Sequence, residues 1–556
     1  MTDQTNSSIG RTQKILIVGG VAGGASCAAR LRRLDERAEI VMIERGPYVS
    51  YANCGLPYHV GGVIEPEGKL LVATADTFRD RFVVDCRTLC EAVSIAPASH
   101  TVELKNHLTG EVTTESYDKL VLSPGAAPIR PPLPGIDLPG IFSVRSVPDA
   151  REIRAWITAS NAKRAVVVGG GFIGLEMAEN LVHRGLEVTV VEMLDQVMPP
   201  LDREVARIVE RHLEQHGVQL KLGDGVAGFR TAADGGLEVF TQSGKTHPAD
   251  VVILAIGVRP ETALAKQAGL EIGERGGIRV NEQMQTSDPD IYAVGDAVEV
   301  KDFVTGQWTL IPLAGPANRQ GRIVADVIVG RDSKFRGTQG TAIVGVFGQV
   351  VASTGASEKL LVRLGDTDFE KIYLFPNSNA SYYPGAKMLS LKVIFRKSDG
   401  RLLGAQAVGE KGVESRLNAI AMAIQFGGTV YDLEESELCY APQFGGAKDP
   451  VNFAGMIGAD ILREDMPVSH WSESDGHFLL DVRDEDEVSE EPVAGCVNIP
   501  LNELRGRLAE LPRDREILIT CRSGQRAYYA TRILLQEGFQ ARNLSGGSLS
   551  RKNQRD

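Results

Sequence analysis

The sequence contains no apolar run that approaches the ~20 residues a membrane-spanning helix needs. Its first thirteen residues are polar and have no apolar core, so we expect no signal peptide. Positive charge is also in deficit, because 60 Lys and Arg stand against 72 Asp and Glu, a net charge of −12. Nucleic acid and anionic membrane surfaces repel such a chain, and neither is expected as a partner.

Cysteine is scarce as well. Seven cysteines, an odd number in a long chain, favour free thiols, a reducing compartment and a cytoplasmic location. The length of 556 residues, at ~150 per domain, predicts three or four domains. Glycine, by contrast, is abundant at 60 residues, and because glycine lets the backbone approach a ligand closely, nucleotide-binding loops are expected.

A strand, a glycine turn, a helix and a second strand follow one another before Glu192. The turn is a G-x-G-x-x-G pattern formed by Gly169, Gly171 and Gly174. Its glycines allow close approach to a pyrophosphate, whose charge the helix N-terminus stabilises. A carboxylate at Glu192 suits the ribose hydroxyls of NADH and repels the 2′-phosphate of NADPH. The unit therefore predicts NADH binding, with NADPH as the alternative if a nearby arginine such as Arg203 or Arg184 compensates.

A less regular copy of this unit begins with the strand KILIVGG. Gly19 and Gly24 hold the outer positions of its turn, Val21 replaces the middle glycine, and Glu44 ends the following strand. Two βαβ units predict an α/β protein with two doubly wound nucleotide domains. From about residue 340 the alternating strands predict an α+β domain with a half-exposed antiparallel sheet.

The two nucleotide units and the run TSDPDIYAVGD, which ends at Asp296, resemble the FAD/NAD(P) disulfide oxidoreductase superfamily. The resemblance implies that the first unit binds FAD and the second NAD(P)H. It places Glu44 on the adenosine ribose and Asp296 beside the flavin. The other cofactor contacts that it implies are Gly19, Gly20, Ala22, Gly23, Arg45, Val93, Gly257 and Ala314.

Cys54 lies ten residues after Glu44, in the segment SYANCGLPY. Two-cysteine disulfide reductases carry C-x4-C here, but the fifth residue after Cys54 is His59, so there is no resolving cysteine. A lone redox cysteine needs a second sulfur from outside, or works as a sulfenic acid. The arrangement resembles coenzyme A-disulfide reductases, in which the cysteine pairs with the thiol of CoA.

Two histidines of related enzymes are missing. No histidine lies between His247 and His470, so the His–Glu pair of glutathione-reductase-like enzymes has no counterpart. The related NADH peroxidases carry a histidine where this chain has Ala22, which argues against a peroxidase mechanism.

The resemblance implies instead that Tyr382 and Tyr440 reach the cysteine of the partner subunit in a homodimer, with Tyr383 as an alternative to Tyr382. A phenol can donate a proton to a leaving thiolate, and no metal is needed.

Coenzyme A carries phosphates, which require cations. The CoA contacts that the resemblance implies are Ser26, Arg30, Arg33, Ser50, Asn53, Asn318 and Lys448. Arg30 and Arg33 lie three residues apart on one face of the first helix, which suits a phosphate site. The alternative is a solvated basic face.

Near the C-terminus, Cys521 opens a loop between an apolar strand and a helix. The loop continues through Arg522, Ser523, Gly524, Gln525 and Arg526. Backbone N–H groups around a sulfur at a helix N-terminus lower the thiol pKa and hold an anion such as a persulfide. With LLDVRDEDEV and GCVNIPL upstream, the segment resembles a single rhodanese domain, whose alternative is an inactive structural copy. The loop is one residue shorter than that of tyrosine phosphatases.

The expected domains are an FAD-binding domain at 12–150 and 281–334, an NAD(P)H-binding domain at 151–280, a dimerisation domain at 335–456, a linker at 457–470 and a rhodanese domain at 471–556. The resemblance implies a homodimeric reductase of CoA disulfide, CoA persulfide or polysulfide. Electrons would pass from NADH through FAD to Cys54, and Cys521 would carry sulfane sulfur, with a protein persulfide as a candidate donor. Two alternatives stay open: an NADH oxidase or peroxidase that uses a Cys54 sulfenic acid, and a redox-sensing sulfur carrier.

Overall fold

The computed structural model describes residues 12–233 and 235–554. The chain divides into two compact units, unit 1 with residues 1–191 and 226–338 and unit 2 with residues 192–225 and 339–556. Most of the polar N-terminal segment, for which no signal peptide is expected, lies outside the described residues. Within the described residues, no helix combines the length and the apolar character that crossing a membrane requires.

The helices of the described residues are numbered in chain order. They are α1 (Gly23–Leu34), α2 (Leu56–Gly61), α3 (Ala75–Phe82), α4 (Val147–Ala159), α5 (Phe172–His183), α6 (Arg203–Gln215), α7 (Ala263–Gln267), α8 (Ala314–Ile328), α9 (Glu358–Arg363), α10 (Val413–Gln425), α11 (Val430–Glu434), α12 (Pro450–Leu462), α13 (Glu485–Glu490), α14 (Gln525–Gln536) and α15 (Gly547–Gln554).

The strands follow the same order. They are β1 (Lys14–Val18), β2 (Glu39–Ile43), β3 (Asp85–Arg87), β4 (Cys90–Ala96), β5 (Thr101–Asn106), β6 (Val112–Ser116), β7 (Lys119–Leu122), β8 (Ala126–Pro128), β9 (Ile141–Ser143), β10 (Arg164–Val168), β11 (Glu187–Val191), β12 (Gln219–Lys221), β13 (Val226–Thr231), β14 (Leu237–Thr241), β15 (Thr246–Ala249), β16 (Val251–Leu254), β17 (Val258–Pro260), β18 (Ile278–Arg279), β19 (Ile291–Ala293), β20 (Val298–Lys301), β21 (Trp308–Thr309), β22 (Ala342–Val346), β23 (Gln349–Gly355), β24 (Phe369–Leu374), β25 (Leu389–Arg396), β26 (Leu402–Gly409), β27 (Val468–Ser469), β28 (Phe478–Asp481), β29 (Cys496–Asn498), β30 (Ile517–Thr520) and β31 (Ala541–Leu544).

Two parallel sheets form the framework of unit 1 and confirm the predicted doubly wound α/β fold. The first runs in the order β19-β7-β1-β2-β3, and the second includes β11-β10-β16-β9 in that order. Both β1 and β10 lie between parallel neighbours and are buried except at their first residue, which explains their nearly continuous apolar sequences. Strand β9 lies within the expected first FAD segment, 12–150, yet pairs with β16 of the second sheet.

Unit 2 contains the antiparallel sheet β22-β23-β26-β25-β24. The sheet was expected to be half-exposed, and this holds only for its edge: β22 alternates between exposed and covered residues, whereas every residue of the central strand β26 is buried. Helices α6 and α10 both contact β26, so its side chains are covered on each face. An apolar run such as LLGAQAVG is the sequence sign of such a strand.

A buried cation ties residues 192–225 to this sheet. The Lys392 ammonium lies 2.8 Å from Asp202, 2.5 Å from Glu204 and 2.6 Å from Glu358. Its side chain is 1% exposed, so the surrounding carboxylates compensate a charge that would otherwise be costly to bury. These three acids therefore have a structural cation among them.

The C-terminal part of unit 2 is a separate parallel sheet in the order β27-β31-β30-β28-β29. The connection to it is shorter than the expected linker at 457–470, because α12 continues to Leu462 and β27 begins at Val468. The Asp449 carboxylate accepts the Val451 N–H and so caps the N-terminus of α12. Between the two elements, Asp465 pairs with Arg532 of α14 at 3.0 Å.

Candidate active site

The first glycine turn packs so tightly that side chains are excluded. A Cβ on Gly24 would lie 1.8 Å from the Gly19 carbonyl oxygen, and Gly19 itself adopts a left-handed φ of 97°. The Gly20 N–H donates to Glu44 Oε2 at 2.9 Å, which brings the acid that ends β2 to the turn. A carboxylate beside a helix N-terminus at a glycine turn is the arrangement that holds the ribose and pyrophosphate of a dinucleotide.

A cavity of about 1550 Å³ opens beside this turn in unit 1. That volume exceeds the roughly 300–1,000 Å³ of common small-molecule sites, so it has room for a large cofactor and a second ligand. The predicted cofactor residues that line it are Gly19, Ala22, Gly23, Glu44, Arg45, Asp296 and Ala314. The predicted CoA residues that line it are Ser26, Arg30, Arg33, Ser50, Asn53 and Asn318. These residues fit FAD with a CoA-sized ligand beside it.

Three predicted cofactor contacts, Gly20, Val93 and Gly257, are not among the described lining residues of this cavity. Val93 lies at a register shift between β4 and β5. Gly257 has a left-handed φ of 102°, and its carbonyl accepts the Ile129 N–H at 3.0 Å. The assignments of Val93 and Gly257 as cofactor contacts therefore still rest on the resemblance alone.

Cys54 lies just before α2 and is exposed to the cavity that it lines. Desolvation raises the pKa of its thiol, and the negative charges of Glu176 and Asp296 raise it further. Asp296 is itself half-buried, and desolvation raises the pKa of its carboxyl against the opposing charge of Arg145. The protein surroundings alone therefore favour the thiol of Cys54 over its thiolate.

A carboxyl group near this thiol was not singled out by the sequence. Tyr58 Oη donates to Glu176 Oε1 at 3.2 Å, and desolvation raises the pKa of Glu176 to about 7. Glu176 lies in α5, two residues after the glycine pattern, and its place among apolar helix neighbours was the available signal. Its proximity to Cys54 depends on the packing of α2 against α5, which local sequence does not reveal.

The structure also shows what occupies the position of a resolving cysteine. His59 is 4% exposed, and its Nδ1 lies 2.7 Å from the Ile64 carbonyl oxygen. All seven cysteines lie within the described residues, and each is free. The chain itself therefore supplies no second sulfur to Cys54.

The second glycine turn has the same close packing as the first. A Cβ on Gly174 would lie 2.0 Å from the Gly169 carbonyl oxygen, and Gly169 has a φ of 108°. Gly171, between them, precedes the first residue of α5. In unit 2, the buried Glu192 accepts the Leu194 N–H on Oε1 at 2.8 Å. Its carboxylate is thus held in a turn directly after β11.

Unit 2 brings two predicted tyrosines together. The Tyr382 and Tyr440 hydroxyls lie 3.0 Å apart, and both side chains are exposed. Their hydrogen bond raises the pKa of Tyr382. Tyr383, the alternative to Tyr382, is also exposed, and its N–H donates to the Ala380 carbonyl. Tyr382, rather than Tyr383, is therefore the tyrosine that shares a hydrogen bond with Tyr440.

Hydrogen bonds and a buried ion pair hold the loops that carry these tyrosines in place. The Ala380 N–H donates to the Gly445 carbonyl at 2.9 Å. The buried Arg416 guanidinium pairs with Asp449 at 2.7 Å and also donates to the Phe444 carbonyl at 3.3 Å. The predicted CoA contact Lys448 is exposed next to Asp449. Sequence reasoning missed the Arg416–Asp449 pair, because its members lie 33 residues apart.

The C-terminal cysteine loop lies between β30 and α14, as the sequence predicts. Cys521 is 1% exposed, and the Gly524 N–H donates to its sulfur at 3.2 Å. Gly524 adopts a φ of 97°, and α14 begins at Gln525. Ser523 is half-buried, whereas Arg522 and Gln525 are exposed. The Arg526 guanidinium forms an ion pair outside the loop, with Glu487 of α13, at 2.7 Å.

Three family models match the chain. A pyridine nucleotide-disulphide oxidoreductase model matches residues 13–321, its dimerisation-domain model matches residues 341–449, and a rhodanese-like domain model matches residues 468–552.

Individual relatives match most of the chain. The reduced CoADR-RHD of Bacillus anthracis superposes with a TM-score of 0.95 at 49% identity, covering 98% of each chain. An NAD-dependent persulfide reductase from A. fulgidus superposes with a TM-score of 0.90 at 38% identity, covering 97% of this chain and 99% of the other. A coenzyme A disulfide reductase from Staphylococcus epidermidis is 36% identical over 80% of this chain and 99% of its own length.

Proposed function

The chain belongs to the pyridine nucleotide-disulphide oxidoreductase family, whose members use FAD and NAD(P)H, and we propose that it reduces CoA disulfide and CoA persulfides or polysulfides. The observation that carries this proposal is the setting of Cys54. It is a lone thiol in a cavity with room for a second ligand beside a dinucleotide, and CoA-type contacts line that cavity. When bound, FAD supplies two electrons from NAD(P)H to the sulfur of Cys54.

Cys54 begins each cycle as a mixed disulfide with CoA. Two electrons break the sulfur–sulfur bond and leave a Cys54 thiolate and a CoA thiolate. The Cys54 thiolate then attacks CoA disulfide, restores the mixed disulfide and displaces a second CoA thiolate. Two protons and two electrons thus convert one CoA disulfide into two CoA thiols. With CoA persulfide, attack on the CoA sulfur displaces hydrosulfide instead.

Tyr382 and Tyr440 protonate the departing thiolate in this proposal. Their hydroxyls already share a hydrogen bond of 3.0 Å, so one phenol can donate to sulfur while the other donates to it in turn. They act on Cys54 of the partner subunit. A second copy as the occupant of this face is supported by the dimerisation-domain match and by exposed aromatic side chains such as Phe426 and Phe444.

NADH is the proposed electron donor rather than NADPH. Glu192 is fixed by the Leu194 N–H at the end of a strand, where its charge would repel a 2′-phosphate. The two arginines that could compensate are engaged elsewhere: Arg203 pairs with Glu210 at 2.7 Å, and Arg184 donates to the Val60 carbonyl at 3.1 Å.

The ratio of kcat/KM for NADH and NADPH tests this choice. We expect the wild type to favour NADH, and Glu192→Gln to lower the ratio by about tenfold because one repelling charge is removed. Equal use of both nucleotides by the wild type contradicts the proposal.

Cys521 is the proposed carrier of sulfane sulfur. Its buried sulfur already accepts one backbone N–H, a setting that stabilises the anion of a persulfide. Seven free cysteines suit a reducing compartment, and we propose a cytoplasmic location on that basis.

Two measurements test the function. Turnover of NADH by the FAD-loaded enzyme is compared with CoA disulfide, hydrogen peroxide and oxygen as acceptors, and we expect CoA disulfide to be the preferred acceptor. Mass spectrometry of protein purified without reductant should find CoA on Cys54. A preference for oxygen or peroxide, with a sulfenic acid on Cys54, supports the oxidase alternative instead.

A further inference from the structure

The arginines of helix α1 differ in their partners. Arg30 donates from Nε and Nη2 to Asp326 Oδ1, at 3.1 and 2.9 Å. Arg32 is buried and donates to backbone carbonyls, among them that of Ala38 at 2.8 Å. Arg33 is exposed to the cavity, and within residues 12–233 and 235–554 it has no hydrogen bond or ion pair. The charge of Arg30 is thus already compensated, whereas that of Arg33 is not.

Helix α8 presents a second uncompensated cation to the same cavity. Asn318 accepts a hydrogen bond from Ser26 of α1, and Asp326 holds Arg30 of α1. Arg322 lies four residues from each, so it belongs to the same face of α8 as these two contacts with α1. Arg322 is exposed, lines the cavity with Ser26 and Arg33, and has no hydrogen bond or ion pair in the described part of the chain.

We propose that Arg322, together with Arg33, binds the phosphates at the nucleotide end of CoA disulfide and so selects it over disulfides that lack phosphate. Arg30 is a positioning residue that joins α1 to α8 through Asp326. This inference rests on the proposed function.

The physical reason is the state of each guanidinium before the ligand arrives. Arg30 would have to break a hydrogen-bonded pair with a carboxylate, in which both side chains are largely covered, to reach a phosphate. Arg33 and Arg322 have no such pair to lose and offer planar forks that match phosphate oxygens. An acidic protein with net charge −12 needs such local cations to attract a polyanion.

The test compares two disulfides in the FAD-loaded enzyme with NADH: CoA disulfide, and pantethine, which carries the same thiol arms without phosphate. Arg322→Gln should lower the ratio of kcat/KM for CoA disulfide to that for pantethine by about 10- to 100-fold, through KM, because a charge-assisted hydrogen bond is lost. Arg33→Gln should lower the same ratio to a comparable degree.

Arg319→Gln is the matched control. Arg319 lies on the same helix, but its guanidinium sits over the Phe335 ring at 5.2 Å and is not among the described lining residues. We expect this variant to keep the wild-type ratio. Arg30→Gln should lower the melting temperature, because its pair with Asp326 is lost, and should lower the ratio less than Arg322→Gln does.

The inference is overturned if Arg30→Gln lowers the ratio of kcat/KM for CoA disulfide to that for pantethine and Arg322→Gln does not. It is also overturned if Arg322→Gln lowers kcat/KM equally for both disulfides. Equilibrium binding of CoA and of pantetheine to the same proteins separates a failure of this inference from a failure of the proposed function. If the wild type binds CoA but does not reduce its disulfide, the proposed function fails, and CoA affinity in Arg322→Gln still decides the inference. A wild type that binds neither ligand overturns both.

Discussion

Cys54 and Cys521 are both placed where a motif predicts a reactive thiol, yet their surroundings are opposite. Cys54 is exposed in a large cavity, and desolvation with the charges of Glu176 and Asp296 raises its pKa. Cys521 is buried, and the Gly524 N–H donates to its sulfur. The backbone of the chain donates a hydrogen bond to the sulfur of Cys521, whereas the sulfur of Cys54 faces a cavity with room for a ligand.

Replacement of Cys54 is expected to have the largest effect. Cys54→Ser should reduce turnover of every disulfide and persulfide by about 10³-fold or more, because the nucleophile is lost. Reduction of bound flavin by NADH should survive, since that step precedes sulfur chemistry. Stopped-flow absorbance and steady-state assays measure the two steps separately. Residual disulfide turnover near the wild-type rate would mean that another sulfur does the work.

The tyrosine pair is expected to have the next largest effect. Tyr440→Phe should lower kcat for CoA disulfide by about 10²-fold, because the proton donor for the leaving thiolate is removed. Tyr383→Phe serves as the control, since that hydroxyl is not a member of the hydrogen-bonded pair and its loss should leave kcat near wild type.

A mixture of Tyr440→Phe and Cys54→Ser subunits tests whether the site is shared between subunits. If it is, heterodimers in the mixture contain one intact site, formed by Cys54 of one subunit and Tyr440 of the other. Failure of the mixture to regain activity would contradict sharing across the interface.

The influence of Glu176 on Cys54 predicts a smaller, pH-dependent effect. The pKa of Glu176 is raised to about 7, so its carboxylate disfavours the Cys54 thiolate above that pH and has little influence below it. In protein reduced beforehand and freed of CoA, Glu176→Gln should therefore speed alkylation of Cys54 roughly threefold at pH 8 and leave it nearly unchanged at pH 6. Peptide mass spectrometry resolves Cys54 from the exposed Cys439. Slower alkylation of Cys54 in Glu176→Gln than in the wild type at pH 8 would contradict the electrostatic effect of Glu176 on the thiolate.

Removal of the rhodanese thiol is expected to have the smallest effect on CoA disulfide. Cys521→Ser should keep that turnover within about twofold of wild type, because a small substrate reaches Cys54 directly. Turnover of bulky or protein-bound sulfane sulfur should fall. The two substrates are compared in one assay that follows NADH oxidation and sulfide release. If Cys521→Ser abolished CoA disulfide turnover, this would mean that sulfur must pass through both cysteines in every cycle, and the predicted division of roles would be wrong.

Local signals predicted the framework of this molecule well. The glycine turns at Gly19 and Gly169 and the loop after Cys521 depend on residues within a few positions, and left-handed φ values there require glycine. The prediction of a half-exposed sheet does not hold for β26, and the first residues of the expected linker at 457–470 belong to α12. The burial of a strand depends on which helices cover the sheet, and the strand's own sequence does not specify them. The segment 457–470 does not contain Asp449, the residue that caps α12, so the segment alone does not reveal that its first residues are helical.

The reactive groups and turns of this protein follow from the order of its amino acids: a lone Cys54 without a resolving partner, the acids that end two nucleotide strands, and a six-residue loop at Cys521. Which of these groups meet follows from packing. The fold brings Tyr382 to Tyr440, 58 residues away, and pairs Arg30 with Asp326, 296 residues away. The reason is physical: the charge and pKa of a side chain depend on neighbours within a few ångströms, and packing selects those neighbours from distant parts of the chain.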